Sequence, residues 1–244
     1  MPENPYDDPI FFKKYARMYR SLHGLRGAGE WPLLKKLLPD FTGRKVLDSG
    51  CGYGWHCKYA VEQGAVEALG LDLSEKMIAE ARARNADPRI RYEVCGIAEY
   101  SYPAGYYDLV VSNLALHYLA DLDDIYRKVF STLRPGGVFL FNIEHPVFTA
   151  GVREDWVRDA EDRPVCWPVD NYYYPGERTT LFLGQEVKKQ HHTLTQILMG
   201  LIRCGFVLEA VEEAMPDPSM LDLPGMADEM RRPMMLLVKA RKPV

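Results

Sequence analysis

Apolar and polar positions along the chain fall into two patterns that alternate. Short continuous apolar runs such as DLVVS are typical of strands buried on both faces of a parallel sheet. Between these runs, apolar residues recur at helical spacing, as in DLDDIYRKVFSTL. The alternation between positions 45 and 145 predicts a mainly parallel sheet with helices on both faces.

The pattern changes at Pro146 and again near position 190. The segment 146–190 combines prolines, mixed charges and three consecutive tyrosines, which indicates an insertion. A helix and two further strands follow. We therefore expect a doubly wound, Rossmann-like α/β fold with a seven-stranded, mainly parallel sheet and a small insertion after the fifth strand. The expected units are an N-terminal helical cap at 1–40, a core at 41–145 and 191–244, and a substrate cap at 146–190.

The composition of the chain argues against two classes of partner, nucleic acids and membranes. The formal net charge of −4 gives no basic stripe, which argues against a nucleic-acid partner. No apolar run approaches the roughly 18 residues that a membrane span needs. Five scattered cysteines without a C-x-x-C pair, and an acidic, Pro-containing N-terminus, are typical of a reducing, cytoplasmic location. The sequence leaves the oligomeric state open.

The segment VLDSGCGYG places three glycines directly after the first strand. Glycine loses the most backbone freedom on folding, so this run indicates a ligand that approaches the backbone closely. Asp48 precedes the turn, where a carboxylate repels a pyrophosphate but suits a cation. Asp72 ends the next strand, where an acid accepts hydrogen bonds from ribose hydroxyls. Together these acids indicate a positively charged nucleoside without phosphate.

Three segments, VLDSGCGYG, LGLDLSEKM and LRPGG, resemble the signature segments of the class I S-adenosylmethionine-dependent methyltransferases. The resemblance covers about 46–142, with the segments in the order of the family. It implies S-adenosyl-L-methionine as cofactor, S-adenosyl-L-homocysteine as product, and a last strand that runs antiparallel within the sheet.

The resemblance also implies a role for each matched position. Many family members have Asp where this chain has Ile97, so a side-chain bond to the adenine amine is missing here. The implied contacts are Asp48 near the cofactor's amino group; Gly50, Cys51 and Gly52 against its methionine part; Asp72 with the ribose; Leu73 and Met77 with the adenine faces; Ile97 and Ala98 with the adenine edge; Asn113 and Leu114 beneath the sulfonium; and Tyr15 and Arg20 closing over the cofactor, Arg20 toward its carboxylate.

Candidate catalytic residues follow the fourth and fifth strands. Glu144 and His145 emerge at the edge where the ligand binds, as candidate bases or substrate contacts. His117 is a further candidate base, or alternatively a cap for local backbone. Tyr172 and Tyr173 are expected to form a wall of the substrate pocket, with an exposed strand as the alternative. No metal site is predicted, because the pair His191–His192 lacks a recognised ligand spacing.

The most favoured function is methyl transfer to N or O of a small-molecule acceptor by in-line displacement. The segment SNLA after the fourth strand lacks the prolines of the Asn/Asp-Pro-Pro-Tyr segment in enzymes that methylate bases and amides. Two alternatives remain open, a non-catalytic module that binds S-adenosylmethionine and an NAD-dependent oxidoreductase.

Overall fold

A computed structural model describes residues 4–151 and 153–244. Its elements alternate as the hydrophobic pattern predicts. The strands are β1 (Lys45–Ser49), β2 (Glu67–Asp72), β3 (Ile90–Val94), β4 (Tyr107–Asn113), β5 (Leu133–Glu144), β6 (Val157–Arg158), β7 (Pro164–Cys166), β8 (Gly176–Phe182), β9 (Gln185–His191), β10 (Val207–Ala214) and β11 (Met235–Arg241). The helices are α1 (Pro9–Tyr15), α2 (Tyr19–His23), α3 (Trp31–Leu37), α4 (Trp55–Glu62), α5 (Glu75–Arg84), α6 (Leu122–Thr132), α7 (Pro146–Ala150), α8 (Leu194–Cys204) and α9 (Met226–Glu229).

The central sheet has seven strands in the order β10–β11–β5–β4–β1–β2–β3. The first five strands of the chain pair in parallel, whereas β11 is antiparallel to both β5 and β10. This arrangement confirms the predicted fold class, including the antiparallel last strand. The strand order reverses between β1 and β4, and open α/β sheets bind ligands at the carboxyl edge beside such a reversal.

Apolar side chains cover both faces of the sheet. Tyr126 of α6 and Leu201 of α8 pack with the strands on one face. Leu34 of α3, Cys57 of α4 and Ile78 of α5 pack on the other. Strands β1 and β4 are buried on both faces, which explains their continuous apolar sequence.

The N-terminal segment differs from the sequence prediction. Apolar residues recur at helical spacing from Phe11 to Leu22, which predicts one helix within the expected N-terminal cap, but α1 ends at Tyr15 and α2 begins at Tyr19. Asp8 caps α1, because its Oδ1 accepts hydrogen bonds from the backbone amides of Ile10 and Phe11. The apolar spacing continues across the break, so it did not reveal the boundary.

The insertion after β5 begins with α7 and contains two antiparallel pairs, β6–β7 and β8–β9. The β8–β9 hairpin reaches the N-terminal segment, where Lys14 Nζ donates to the carbonyl of Leu183 at 2.8 Å. Gln185 donates to Asp8 at 2.8 Å. Within the described ranges, no helix combines the length and apolar character needed to cross a bilayer.

Candidate active site

A cavity of about 620 Å³ lies at the carboxyl edge of the sheet. Its floor is formed by the ends of β1, β2, β4 and β5. The N-terminal segment, the β8–β9 hairpin and the segment from position 214 to 235 supply the remaining walls. A cavity of this volume, with walls from four parts of the chain, is large enough for a small organic ligand.

The glycine turn forms part of the cavity lining. Gly50 and Gly52 both have positive φ, at 82° and 52°. A Cβ at Gly50 would lie 2.3 Å from the Cβ of Ala115, so only glycine fits there. At Gly52 a Cβ would meet no protein atom within 4 Å, although this residue lines the cavity. The space beside Gly52 is therefore open for a ligand.

Asp72 lies at the end of β2 and lines the same end of the cavity. Its two oxygens accept hydrogen bonds from the backbone amides of Gly52 and Ser74, each at 2.9 Å. Burial raises the pKa of Asp72 to about 6, although these amides oppose the shift. The bonds hold the carboxylate beside the glycine turn and leave it lone pairs for further donors.

Asp48 does not reach the cavity. The side chain is fully buried, its Oδ2 lies 3.6 Å from Cys57 Sγ, and burial raises its pKa to about 7. The position of Asp48 does not favour a contact with the cofactor's amino group, and that contact stays a prediction. Neighbouring residues of a strand point to opposite faces of a sheet, and Asp48 points toward α4.

A buried network of hydrogen-bonded polar side chains lies beside the glycine turn. Glu30 Oε1 accepts hydrogen bonds from the guanidinium of Arg20 and, at 3.0 Å, from Asn113 Nδ2. Asn142 Nδ2 donates in turn to Asn113 Oδ1 at 2.9 Å. Burial opposes ionisation of Glu30, but Arg20 and Asn113 outweigh it and lower the pKa of this carboxyl. Arg20, Glu30 and Asn113 all line the cavity, so it contains a fixed ion pair.

The other predicted cofactor contacts divide into two groups. Cys51, Met77, Leu114 and Tyr15 line the cavity. Leu73, Ile97 and Ala98 are not among the residues that line it, and their contacts with the adenine stay predictions. The carbonyls of Ile97 and Ala98 already accept hydrogen bonds from Tyr102 Oη and Lys128 Nζ, at 3.0 and 2.7 Å.

A second cluster of charged side chains also lines the cavity. Lys189 Nζ lies 2.6 Å from Glu144 Oε1 and 3.0 Å from Glu154 Oε2. His117 Nε2 is 3.9 Å from Glu144 Oε1. All four side chains are at most 8% exposed. Burial, together with the positive charge of Lys189 and the neighbouring His192, holds the pKa of His117 well below its usual range, so this imidazole is neutral.

His145, Tyr172 and Tyr173 are not in the cavity lining, contrary to prediction. His145 caps α7, because its Nδ1 accepts from the amide of Val147 at 3.0 Å. Tyr172 Oη accepts from the amide of Leu194 at the start of α8. Tyr173 is 85% exposed. These residues support secondary structure or face solvent, which does not favour the expected catalytic and substrate contacts, and those contacts stay predictions.

The pair His191–His192 has structural partners. His191 contacts Thr149 Oγ1 at 2.7 Å and the carbonyl of Tyr172 at 2.9 Å. His192 Nε2 donates to the carbonyl of Leu119 at 2.8 Å. Throughout the part of the chain that the structure describes, no group of three or more His, Cys, Asp or Glu side chains is placed to hold a metal ion.

Comparison with known proteins identifies the family. Residues 46–137 match the model of a methyltransferase domain. An S-adenosylmethionine-dependent methyltransferase from Mesorhizobium loti is 46% identical, with a TM-score of 0.83, and the match covers 90% of this chain and all of that one. The chain is an S-adenosylmethionine-dependent methyltransferase. S-Adenosylmethionine is its cofactor, and its segments from β1 to β5 account for the sequence resemblance.

Two further relatives show how far the similarity extends. A Listeria monocytogenes protein assigned to the same methyltransferases is 48% identical over 91% of this chain and all of its own, with a TM-score of 0.86. The malonyl-[acyl-carrier protein] O-methyltransferase of Enterobacter lignolyticus is 35% identical over 63% of this chain. The match spans only 59% of that relative's length.

Sequence reasoning missed three charged residues of the methyltransferase cavity. Glu30 and Glu154 lie in irregular segments without periodicity. Lys189 had a detectable signal, since Val187, Lys189 and His191 are the buried positions of β9 and alternate with exposed ones. A lysine on the buried side of an alternating strand indicates a buried partner of opposite charge.

Proposed function

We propose that this methyltransferase transfers the methyl group to a nitrogen or oxygen of a small-molecule acceptor. The observation that supports this most is that Gly52 and Asp72 line the same cavity as Glu144 and Lys189. Cofactor and acceptor would share one cavity of about 620 Å³ with walls from four parts of the chain, and a cavity of that size favours a small acceptor over a macromolecular one.

The residues of the glycine end fit the cofactor. The open space at Gly52 accommodates close approach to the backbone, and Asp72 is held where it can accept hydrogen bonds from ribose hydroxyls. Arg20 and Glu30 form a pair of opposite charges that complements the carboxylate and amino group of the methionine part. Glu30 thus takes the position near the amino group that the sequence had suggested for Asp48.

The protein's contribution to the reaction is mainly positional. Bound S-adenosylmethionine supplies a methyl group already activated by its positive sulfur. The cavity walls align the acceptor and exclude water. Because positive charge leaves the sulfur during transfer, the neutral amide of Asn113 hinders the step less than a carboxylate would. Glu144 and His117, which line the cavity, remain candidate bases.

The chain's charge and cysteines also support the proposal. A net charge of −4 does not favour a nucleic-acid partner. The cysteines Cys51, Cys57, Cys95, Cys166 and Cys204 are all free thiols, which supports a reducing, cytoplasmic location.

The test is formation of S-adenosylhomocysteine by the purified protein. The protein would be incubated with S-adenosylmethionine and with either the ultrafiltrate or the retained macromolecules of a cell extract. We expect product only with the ultrafiltrate, and none when Gly52→Val replaces the wild type. Product only with the retained fraction would refute a small acceptor. Cofactor binding by calorimetry without product in either fraction would favour a non-catalytic binding module.

A further inference from the structure

The cluster of Glu144, Glu154 and Lys189 has unused capacity to accept hydrogen bonds. Lys189 contacts one oxygen of each carboxylate. The other oxygens, Glu144 Oε2 and Glu154 Oε1, and the Nδ1 of His117, are buried without a hydrogen-bond partner among the described residues. These side chains line the cavity. Because buried polar atoms are nearly always paired, three unpaired atoms beside a cavity indicate a ligand.

The charges of the cluster select among ligands. Lys189 offsets one of the two ionised carboxylates, and the positive charge of Arg232 is offset by Glu229 at 2.8 Å. Because His117 is neutral, the cluster has a net charge of −1. A ligand ammonium would bring this total to zero, whereas a ligand carboxylate would raise it to −2 in a buried site. Buried charge is costly unless it is compensated. The cluster therefore favours a cationic hydrogen-bond donor and disfavours an acid.

Glu154 has the character of a proton acceptor. Burial and the negative charge of Glu144 raise its pKa to about 7, while Lys189 and Arg232 oppose the shift. Its φ of 48° is rare for a residue with a side chain, and such conformations concentrate at functional sites. The titratable or charged groups around this cluster are Glu144 of β5, Lys189 of β9, Arg232 before β11, His117 and Tyr118 of the turn after β4, and His192 after β9.

The adjoining wall indicates an apolar portion of the ligand. Five methionines between positions 215 and 235 line the cavity. Methionine side chains are flexible and polarisable, so they adapt to apolar groups of varied shape. Phe148 and Phe182 also line this region. The five methionines are Met215, Met220, Met226, Met234 and Met235.

We propose that the methyl acceptor is a primary or secondary amine with an apolar body, bound through its nitrogen by Glu144 and Glu154. This inference rests on the proposed function and specifies its acceptor. The amine enters as an ammonium and gives one proton to Glu154, which leaves a neutral nitrogen with a free electron pair. That pair forms the N–C bond to the methyl group as the S–C bond breaks. The positive charge passes from sulfur to the methylated nitrogen.

A panel of matched acceptors tests the inference on the wild-type enzyme. The panel contains alkyl and arylalkyl amines together with the alcohol and the carboxylate of each skeleton, and S-adenosylhomocysteine formation is measured. Transfer to amines and to neither counterpart is expected. Transfer only to alcohols or carboxylates would overturn the amine assignment and leave the proposed function intact. No transfer to any member would count against both.

The variant Glu154→Gln tests the proton acceptor on the best amine of the panel. We expect kcat/KM at pH 7 to fall about 100-fold and to recover as the pH approaches the amine's own pKa. Glu186→Gln, the same change at an exposed position of β9, is the matched control and should retain the wild-type profile. A wild-type pH profile for Glu154→Gln would overturn the role. Calorimetry with S-adenosylhomocysteine checks that the variant is folded, and the wild-type panel stays decisive if it is not.

Discussion

Asp7 Oδ1 accepts a hydrogen bond from Ser74 Oγ at 2.6 Å, which ties the N-terminal segment to the start of α5. The same oxygen accepts from the backbone amide of Lys76 at 3.2 Å. The amide of Ser74 donates to Asp72 at 2.9 Å. One serine therefore links the N-terminal segment, which supplies part of the cavity wall, to the carboxylate assigned to the ribose.

Asp7→Ala should weaken binding of S-adenosylhomocysteine about tenfold, because the N-terminal segment loses two hydrogen bonds to a charged group. Calorimetry measures this without an acceptor. Lys13→Ala, at an exposed position of α1, is the control on the same segment and should bind normally. Equal affinities for the two variants would show that the link does not contribute to binding.

Gly52→Ala should abolish detectable cofactor binding, because its methyl group would occupy the open space of the cavity. Gly43→Ala is a matched control. Gly43 also has positive φ, 72°, a Cβ added there would meet no atom within 4 Å, and the residue does not line the cavity. Both variants should lose about 1 kcal/mol of stability from backbone strain. Normal binding by Gly52→Ala would remove the turn from the cofactor site.

Asp72→Ala should reduce affinity for S-adenosylhomocysteine by about 1.5–3 kcal/mol, because ribose hydroxyls lose a charged acceptor. Burial raises the pKa of Asp72 to about 6, so wild-type affinity should also decline as the pH falls below 6 and the carboxyl is protonated. Titrations between pH 5 and pH 8 measure both effects. An unchanged affinity of Asp72→Ala at pH 8 would contradict the ribose assignment.

Local sequence signals identified the core of the site, and contacts distant in sequence supplied the rest. The glycine turn and Asp72 were predictable because each directly follows a strand, and parallel strands end at one edge of the sheet. Lys189 meets Glu144 across 45 positions, and Glu30 meets Asn113 across 83. No periodicity links such pairs. The sequence did not show that Asp48 points toward α4, because strand alternation, which decides its face, is hidden in a strand that is buried on both faces.

Glu144 lines the cavity and its neighbour His145 does not, and a variant of His145 tests this difference. His145→Ala should lower stability by about 1 kcal/mol through loss of the α7 cap. Cofactor affinity and turnover should remain within about twofold of wild type. A twofold change corresponds to about 0.4 kcal/mol of free energy. Thermal unfolding and the methyl-transfer assay measure the two quantities. A large loss of turnover at unchanged stability would restore His145 to the catalytic site.

Asp48→Asn should change how stability depends on pH. Burial raises the folded-state pKa of Asp48 to about 7 from its usual 3.8, so the folded protein retains a proton that the unfolded chain releases. The protonated Asp48 therefore makes its full contribution to the stability of the wild type below about pH 4. This contribution is lost as the pH rises toward 7. The asparagine variant cannot titrate there. The free energy of unfolding of the variant relative to wild type should thus rise between pH 4 and pH 7, by on the order of 3–4 kcal/mol.

Denaturant unfolding of both proteins at several pH values measures this difference. The pKa shifts of Asp72 and Glu154 are present in both proteins and therefore cancel in the difference. A difference that stays constant with pH would mean that Asp48 is ionised in the folded protein and has a compensating partner.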